Sequence, residues 1–274
     1  MRKIAVIGLG IIGGSICASL TRAGYAVYGY DLNDENCKEA VKKGYITEKT
    51  ENFSEFDVVF VAVPPKATIA VINQTTFKSG ALVMDICGVK KSVENAVYAK
   101  ERDFRYLGLH PMAGKETSGL SSATAELFDG ANLVITLAEK TEKSAIEEAK
   151  KLAEDMKFGC IVECTADEHD KKIALTSQLA HLVSNAYVKS PQVVGCEPFT
   201  GGSFQDMTRI AGVDEKIWTQ LYLFNKENVV EELDLLISHL SEYRDALKEN
   251  NGEEVAERLK EVRLIREKIK RRKR

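Results

Sequence analysis

The sequence predicts an α/β fold in two parts: a doubly wound parallel sheet over residues 1–164 and an all-helical region over residues 165–274. Three observations predict it. Short apolar strand-like runs alternate with helical patterns up to Glu163, the order that builds a parallel sheet covered on both faces. A glycine-rich turn containing Gly8, Gly10 and Gly13 joins the first strand to the first helix. From Thr165 onward the apolar spacing is helical.

The first strand covers residues 3–7 and runs into G-x-G-x-x-G. The three glycines, Gly8, Gly10 and Gly13, suit a tight turn, a close backbone approach to a pyrophosphate, and close helix–sheet packing. The helix that follows aims the free N–H groups of Ile11, Ile12 and Gly13, with its positive dipole end, at phosphate. A second strand over 26–30 ends in Asp31, 18 residues beyond Gly13, where a carboxylate accepts ribose hydroxyls. Together these features point to a Rossmann-like dinucleotide-binding domain. Asp31 favours NAD, because it repels a 2′-phosphate and neither Asn33 nor Lys38 offers an arginine clamp for one. The third strand, 57–63, is apolar on both faces and ends at a proline pair. Val63, Pro64 and Pro65 thus sit at the strand end where such sheets bind ligands.

The remaining elements follow in order. Asn33 caps a helix over 34–43, and a helix over 67–77 leads to a strand at 81–85. A helix from 86 through 98, a strand at 105–109, a loop to about 129, a strand at 133–136, a helix at 142–156 and a strand at 160–163 complete the sheet. Thr165 and Glu168 form a capping box opening a helix to about Val188. Further helices are expected over 215–223, 229–243 and 253–270. The basic end, 268–274, reads as a solvated helix terminus rather than a nucleic-acid patch.

Composition excludes several classes. A net charge of −3, with 44% hydrophobic and 29% charged residues, exerts no pull toward nucleic acid or membrane. No apolar run approaches the ~20 residues of a membrane span. The start, Met1 to Lys3, does not read as a signal peptide. Six scattered cysteines, without a C-x-x-C pair or a zinc cluster, suggest reduced thiols, a cytoplasmic protein and no metal.

Candidate chemistry concentrates in a few side chains. Of the four histidines, His110 falls at a strand's C-terminal end just before Pro111, where catalytic groups collect. His169 sits in the first turn of the capped helix and is either structural or functional, and His239 reads as structural or exposed. Ser177, Gln178, His181, Ser184 and Asn185 recur three and four apart, which puts them on one helix face. That stripe carries no lysine or glutamate, so it is expected to line a wet cleft. Arg209 lies between apolar neighbours after the Gly201–Gly202 turn, either paired structurally or aimed at a ligand carboxylate.

The G-x-G-x-x-G turn with Asp31, the H-P-x-A-G run from His110 to Gly114 with Glu116, the S-Q-L-A-H run from Ser177 to His181, and the G-G-x-F-x-D-x-T-R run from Gly201 to Arg209 closely resemble the ordered motifs of prephenate/arogenate dehydrogenases. The resemblance covers nearly the full length. It implies a dinucleotide domain followed by a helical dimerisation domain, with a homodimer formed through the latter. It also implies oxidative decarboxylation of prephenate to 4-hydroxyphenylpyruvate, with hydride transfer to NAD, in tyrosine biosynthesis; arogenate, or both substrates, is the alternative. By that similarity His110 is the catalytic histidine bonded to the ring hydroxyl, and Arg209 holds the ring carboxylate. His181, Gln178, Gly88 and Gly202 border the substrate, and Glu116 is a gating partner beside Arg209. Neither a fused chorismate mutase nor an appended regulatory domain is expected. Two positions depart from the family pattern. Gly88 precedes Val89 and Lys90 where many relatives have Ser-Val-Lys, and Gln178 and Ala180 replace residues of a Ser-His-Leu-Pro-His run.

Two other readings compete. A hydroxy-acid or imine reductase would use a lysine or aspartate on the first helix of the second domain, where Lys171 and Lys172 stand near its start and no lysine lies on the polar stripe. A cofactor-sensing binding protein would leave His110 and Arg209 without a task.

Overall fold

The computed structural model describes residues 2–115 and 117–271, the side chains of residues 270 and 271 excepted. Strands β1 (Ile4–Ile7), β2 (Val27–Tyr30), β3 (Val58–Val61), β4 (Leu82–Asp85), β5 (Arg105–Pro111), β6 (Asn132–Thr136) and β7 (Cys160–Cys164) form one sheet in the order β2-β1-β3-β4-β5-β6-β7. Helices α1 (Ile11–Arg22), α2 (Asp34–Lys42), α3 (Pro65–Gln74), α4 (Lys91–Tyr98) and α5 (Lys143–Asp155) connect or follow the strands. Alternate side chains of each strand feed opposite faces. Ile4 and Val6 of β1 join a core with Ile16, Leu20, Phe128 and Leu152, whereas Ala5 and Ile7 join Phe53, Val61, Ile72 and Val93 on the other side. This two-sided burial is why the strands read as continuous apolar runs.

One expectation needs correction. The sheet is parallel from β2 to β5, but β6 pairs antiparallel to β5, and β7 runs parallel to β6. The cause lies in the connection. A parallel neighbour needs a crossover element, usually a helix, whereas the described residues between 112 and 131 contain only one short helical turn, Leu120–Ser122. The chain therefore turns back beside β5.

After β7, the expected single helix is two α-helices joined by a wider turn: α6 (Ala166–Ile173), a π-helical segment (Ala174–Leu179) and α7 (Ala180–Tyr187). The capping box at Thr165 and Glu168 is present. The short α8 (Gly202–Thr208) and α9 (Glu215–Phe224) follow. The chain divides after Lys226 into two compact units, and the helices from α6 to α9 belong with the sheet in the first. The second holds α10 (Lys226–Lys248), apart from its first residue, and α11 (Gly252–Arg271), joined across a short turn in which Asn251 caps α11 by accepting from the Glu254 N–H. Arg258 of α11 pairs with Glu242 of α10. Leu235, Ile237, Leu240 and Leu247 of α10 are exposed, as are Leu259, Val262, Leu264, Ile265 and Ile269 of α11. Among the described residues no helix is long and apolar enough to cross a membrane.

Candidate active site

The glycine turn is built by steric necessity. Gly8 has φ +93°, and a Cβ there would lie 2.4 Å from the Ala62 carbonyl oxygen. A Cβ on Gly13 would lie 1.8 Å from the Gly8 carbonyl oxygen, so α1 packs on β1 only because that atom is missing. Gly10 differs: a Cβ there would meet nothing within 4 Å. Gly10 is also the N-cap of α1 and supplies no side-chain cap, which leaves the amides of Ile11, Ile12 and Gly13 facing that open space. Asp31, partly exposed at the end of β2, accepts from the Leu9 N–H at 2.7 Å and the Asn33 N–H at 2.8 Å. It thereby fastens the glycine turn to the neighbouring strand. Val63, Pro64 and Pro65 form the adjoining β3–α3 turn, with Pro64 as N-cap and Pro65 opening α3. The Thr68 hydroxyl fixes this turn by donating to the Val63 carbonyl at 2.8 Å.

His110 lies within β5 rather than in a loop, opposite Val134 of β6. Its Nδ1 is 2.8 Å from Nε2 of His169, and the Nδ1 of His169 is 2.7 Å from Oδ1 of Asp170. Asp170 in turn accepts from the backbone N–H groups of Lys90 at 2.8 Å and Lys91 at 2.9 Å. His169 and Asp170 are both buried. Beneath them the fully buried Lys90 places Nζ 2.6 Å from Asp85 Oδ1 and 2.6 Å from the carbonyl oxygen of Leu109, the residue before His110. Tyr106 donates its hydroxyl to the other Asp85 oxygen at 2.6 Å. Desolvation holds the His110 imidazole well below its usual pKa, reinforced by His169 and by the positive charge of Lys90. Desolvation also lowers His169, against the opposing pull of Asp170. Both rings are therefore neutral near pH 7.

Helix α9 packs over this edge of the sheet. A Cβ on Gly88 would stand 3.7 Å from the Cε1 and Nε2 of His110 and 3.4 Å from a methyl of Leu221 on α9. Gln220 of α9 accepts from the Lys66 N–H at 3.3 Å, so α9 runs between the nucleotide-side turn and His110. The expected polar stripe is not the wall of a wet cleft. Gln178 is buried, donating to the Leu221 carbonyl at 2.8 Å and accepting from Asn225 at 2.6 Å. Ser184 is buried and donates to the Met207 carbonyl of α8 at 2.7 Å. These two side chains fasten α9 and α8 to the long helix, and the π-helical segment turns Gln178 toward α9. His181 remains partly exposed, its Nδ1 donating to the Ser177 carbonyl at 2.9 Å and its ring packed at a 36° tilt against Trp218 with centroids 3.9 Å apart. Gly202 opens α8, and Arg209 stands exposed at its C-terminal end. Glu116 lies outside the described residues. Lys171 and Lys172 are exposed, away from the buried face of α6 that carries His169.

Asp85 and Asp170 were not marked by the motifs, Lys90 entered only within the run after Gly88, and the role of His169 was left open. The tie of His169 and Asp170 to the site was not foreseen. A signal existed for both. Ala166, His169, Asp170 and Ile173 share the i, i+3, i+4, i+7 spacing of a buried helix face, so a histidine and an aspartate on it require partners inside the protein.

A Rossmann-like sheet with an uncapped glycine turn and a neutral histidine at its C-terminal edge defines a nucleotide-dependent oxidoreductase. Residues 16–162 match the family model described as the nucleotide-binding domain of prephenate dehydrogenase, and residues 165–261 match that of its dimerization domain. The chain belongs to the prephenate dehydrogenase family. It is 30% identical to a prephenate dehydrogenase of Lactococcus lactis subsp. cremoris, over 97% of this chain and 77% of that one. It is also 30% identical to a cyclohexadienyl dehydrogenase of Zymomonas mobilis, over 95% of this chain and 93% of that one. Among solved structures, prephenate dehydrogenase from A. aeolicus in complex with hydroxyphenyl propionate and NAD+ superposes with a TM-score of 0.85 at 30% identity, covering 98% of both chains.

Proposed function

We propose that this protein oxidatively decarboxylates prephenate to 4-hydroxyphenylpyruvate, passing a hydride to NAD, as a step of tyrosine biosynthesis in the cytoplasm. The observation that carries this reading is His110. It is a neutral imidazole at the C-terminal edge of the sheet whose one hydrogen bond among the described residues uses Nδ1. Nε2 is left for a substrate hydroxyl on the side of Gly88, where the absence of a side chain keeps that nitrogen uncovered.

The nucleotide side fits NAD. The open volume at Gly10 and the uncapped amides of α1 suit a pyrophosphate, and Asp31 retains lone pairs for ribose hydroxyls. Bound there, NAD would supply the hydride acceptor. His110 orients the hydroxyl and takes its proton as carbonyl character develops. Arg209 holds the ring carboxylate with its planar fork, and His181, braced by Trp218, meets the substrate from the helical side. Gly88 and Gly202 border the same space. Residues 1–164 form the dinucleotide domain, and residues 165–274 carry substrate contacts and dimerisation. The exposed apolar rows of α10 and α11 support a homodimer.

The cyclohexadienyl dehydrogenase relative supports a second reading, in which arogenate is also oxidised. NADH formation, followed by absorbance with prephenate and arogenate and with NAD and NADP in turn, tests both. Turnover of prephenate at least tenfold faster with NAD than with NADP is expected; no turnover of either substrate would refute the activity.

A further inference from the structure

We propose that His169 and Asp170 form, with His110, an imidazole–imidazole–carboxylate relay that fixes which nitrogen of His110 is the base and stores the substrate's hydroxyl proton during turnover. The inference rests on the activity proposed above and assigns His169 and Asp170 a positioning and proton-carrying role within it.

The tautomers follow from hydrogen-bond bookkeeping. Two backbone N–H groups, which can only donate, already point at the Asp170 carboxylate. Asp170 therefore acts as an acceptor, and the 2.7 Å contact requires a proton on Nδ1 of His169. A neutral His169 then presents a lone pair at Nε2. The 2.8 Å contact to His110 requires one proton, so it resides on Nδ1 of His110. The Nε2 of His110 is left with a lone pair, on the side facing Gly88. With glycine at 88, no described polar side chain touches that nitrogen, so His110 is oriented from its Nδ1 side. The charged groups around the pair are Asp170, Lys90 and Asp85, while β6 contributes Val134 opposite His110 and α9 contributes Leu221.

The proton balance gives the relay its task. The hydroxyl proton passes to Nε2 of His110 as the carbon bearing that hydroxyl gives up its hydride, which bound NAD would accept. The Nδ1 proton of His110 shifts to Nε2 of His169, which puts the positive charge beside the Asp170 carboxylate. The C–CO2 bond then breaks, its electron pair enters the ring, and the new phenolate oxygen recovers a proton by the reverse shift. The overall reaction yields carbon dioxide, NADH and the phenol without releasing a proton, so the accepted proton must be held and returned.

Long-range 1H–15N spectra of histidine-labelled protein read the tautomers directly, with His110→Asn and His169→Gln assigning the signals. Protonated Nδ1 and bare Nε2 are expected on both rings. Single-turnover hydride transfer in H2O/D2O mixtures should depend quadratically on deuterium fraction in the wild type, two protons moving together, and linearly in His169→Gln. His169→Gln, whose carboxamide still accepts from His110 but cannot carry a proton, should lose about tenfold in kcat. His169→Leu should lose on the order of a hundredfold, with NAD affinity unchanged. If the histidine variants fail to fold, the wild-type spectrum still decides. Turnover by a wild type bearing Nε2–H on His110 overturns the relay and leaves the activity standing, as does His169→Leu within twofold of wild type. Absence of turnover overturns both.

Discussion

Replacing Lys90 by methionine tests how the fold holds the base. The Lys90 ammonium is fully buried between Asp85 and the Leu109 carbonyl, each at 2.6 Å. Methionine fills much of the volume but removes the charge. Among the described residues the Asp85 carboxylate would keep the Tyr106 hydroxyl and the Cys87 N–H as donors, and the Leu109 carbonyl would lose its ammonium donor. Breaking a buried pair from one side typically costs about 3–5 kcal/mol, because the remaining charge stays desolvated. For a chain of this size roughly 2–4 °C of Tm accompanies each kcal/mol, so a drop of about 6–20 °C is expected. Urea titration should show the loss in the midpoint with m unchanged. The same change acts on His110. The Lys90 charge disfavours protonation of that imidazole, so its removal raises the His110 pKa, and the acidic limb of kcat/KM moves to higher pH. In Lys90→Met/Asp85→Leu the combined loss should be smaller than the sum of the single losses, since neither buried charge is stranded. A loss below about 1 kcal/mol in Lys90→Met, with the acidic limb unmoved, would refute both the pair's role and its reach to His110.

Two further outcomes follow from the same geometry. Gly13→Ala forces a Cβ against the Gly8 carbonyl and should cost about 1–3 kcal/mol, whereas Gly10→Ala enters open space and should stay within ~0.5 kcal/mol of wild type in urea titration. Gly10→Ala should nevertheless weaken NAD binding on the order of tenfold by titration, because the methyl occupies the pyrophosphate approach; wild-type affinity would exclude that placement. The second concerns pH: His110 and His169 have folded pKa values below the unfolded value of ~6.5, so the unfolded chain binds more protons in acid and stability falls as pH drops below that value. Urea titrations at pH 7.5 and 5.5 should show that loss, and it should be smaller in His110→Asn, which removes one of the two depressed imidazoles.

The nucleotide half of the site was legible because its parts are contiguous. Strand, glycine turn, helix and Asp31 fall within one short segment, and each glycine answers a local steric demand. The helix-side cleft was less legible. Three-and-four spacing placed Gln178, His181 and Ser184 on one face, but periodicity reports a face and not its neighbour, and α8 and α9 cover Gln178 and Ser184. The π-helical turn escaped for a related reason, since nothing in residues 174–179 forbids an ordinary α-helix. The cluster of Asp85, Lys90, His169 and Asp170 escaped, with the role of His169 left open, because the bonds that tie it together around His110 join distant segments. Burial of His169 and Asp170 could be read from helical spacing; their contacts to His110 and Lys90 needed the fold.

The reversal of β6 ties these observations to the chemistry. β4 pairs with β5 only as far as Gly108, opposite Asp85. Leu109, His110 and Pro111 continue beyond that point, and β6 holds them by pairing in the opposite direction. A loop at this position would leave the histidine free to swing, as loops at sheet edges commonly do. Here the antiparallel ladder extends the strand by the residues that carry the base, Lys90 pins the Leu109 carbonyl from below, and His169 fixes the ring from the side. Each constraint acts on a different part of His110: backbone direction, strand position and ring orientation. The long connection without a helix that makes β6 run backward is thus what delivers a rigid base to the open edge of a parallel sheet.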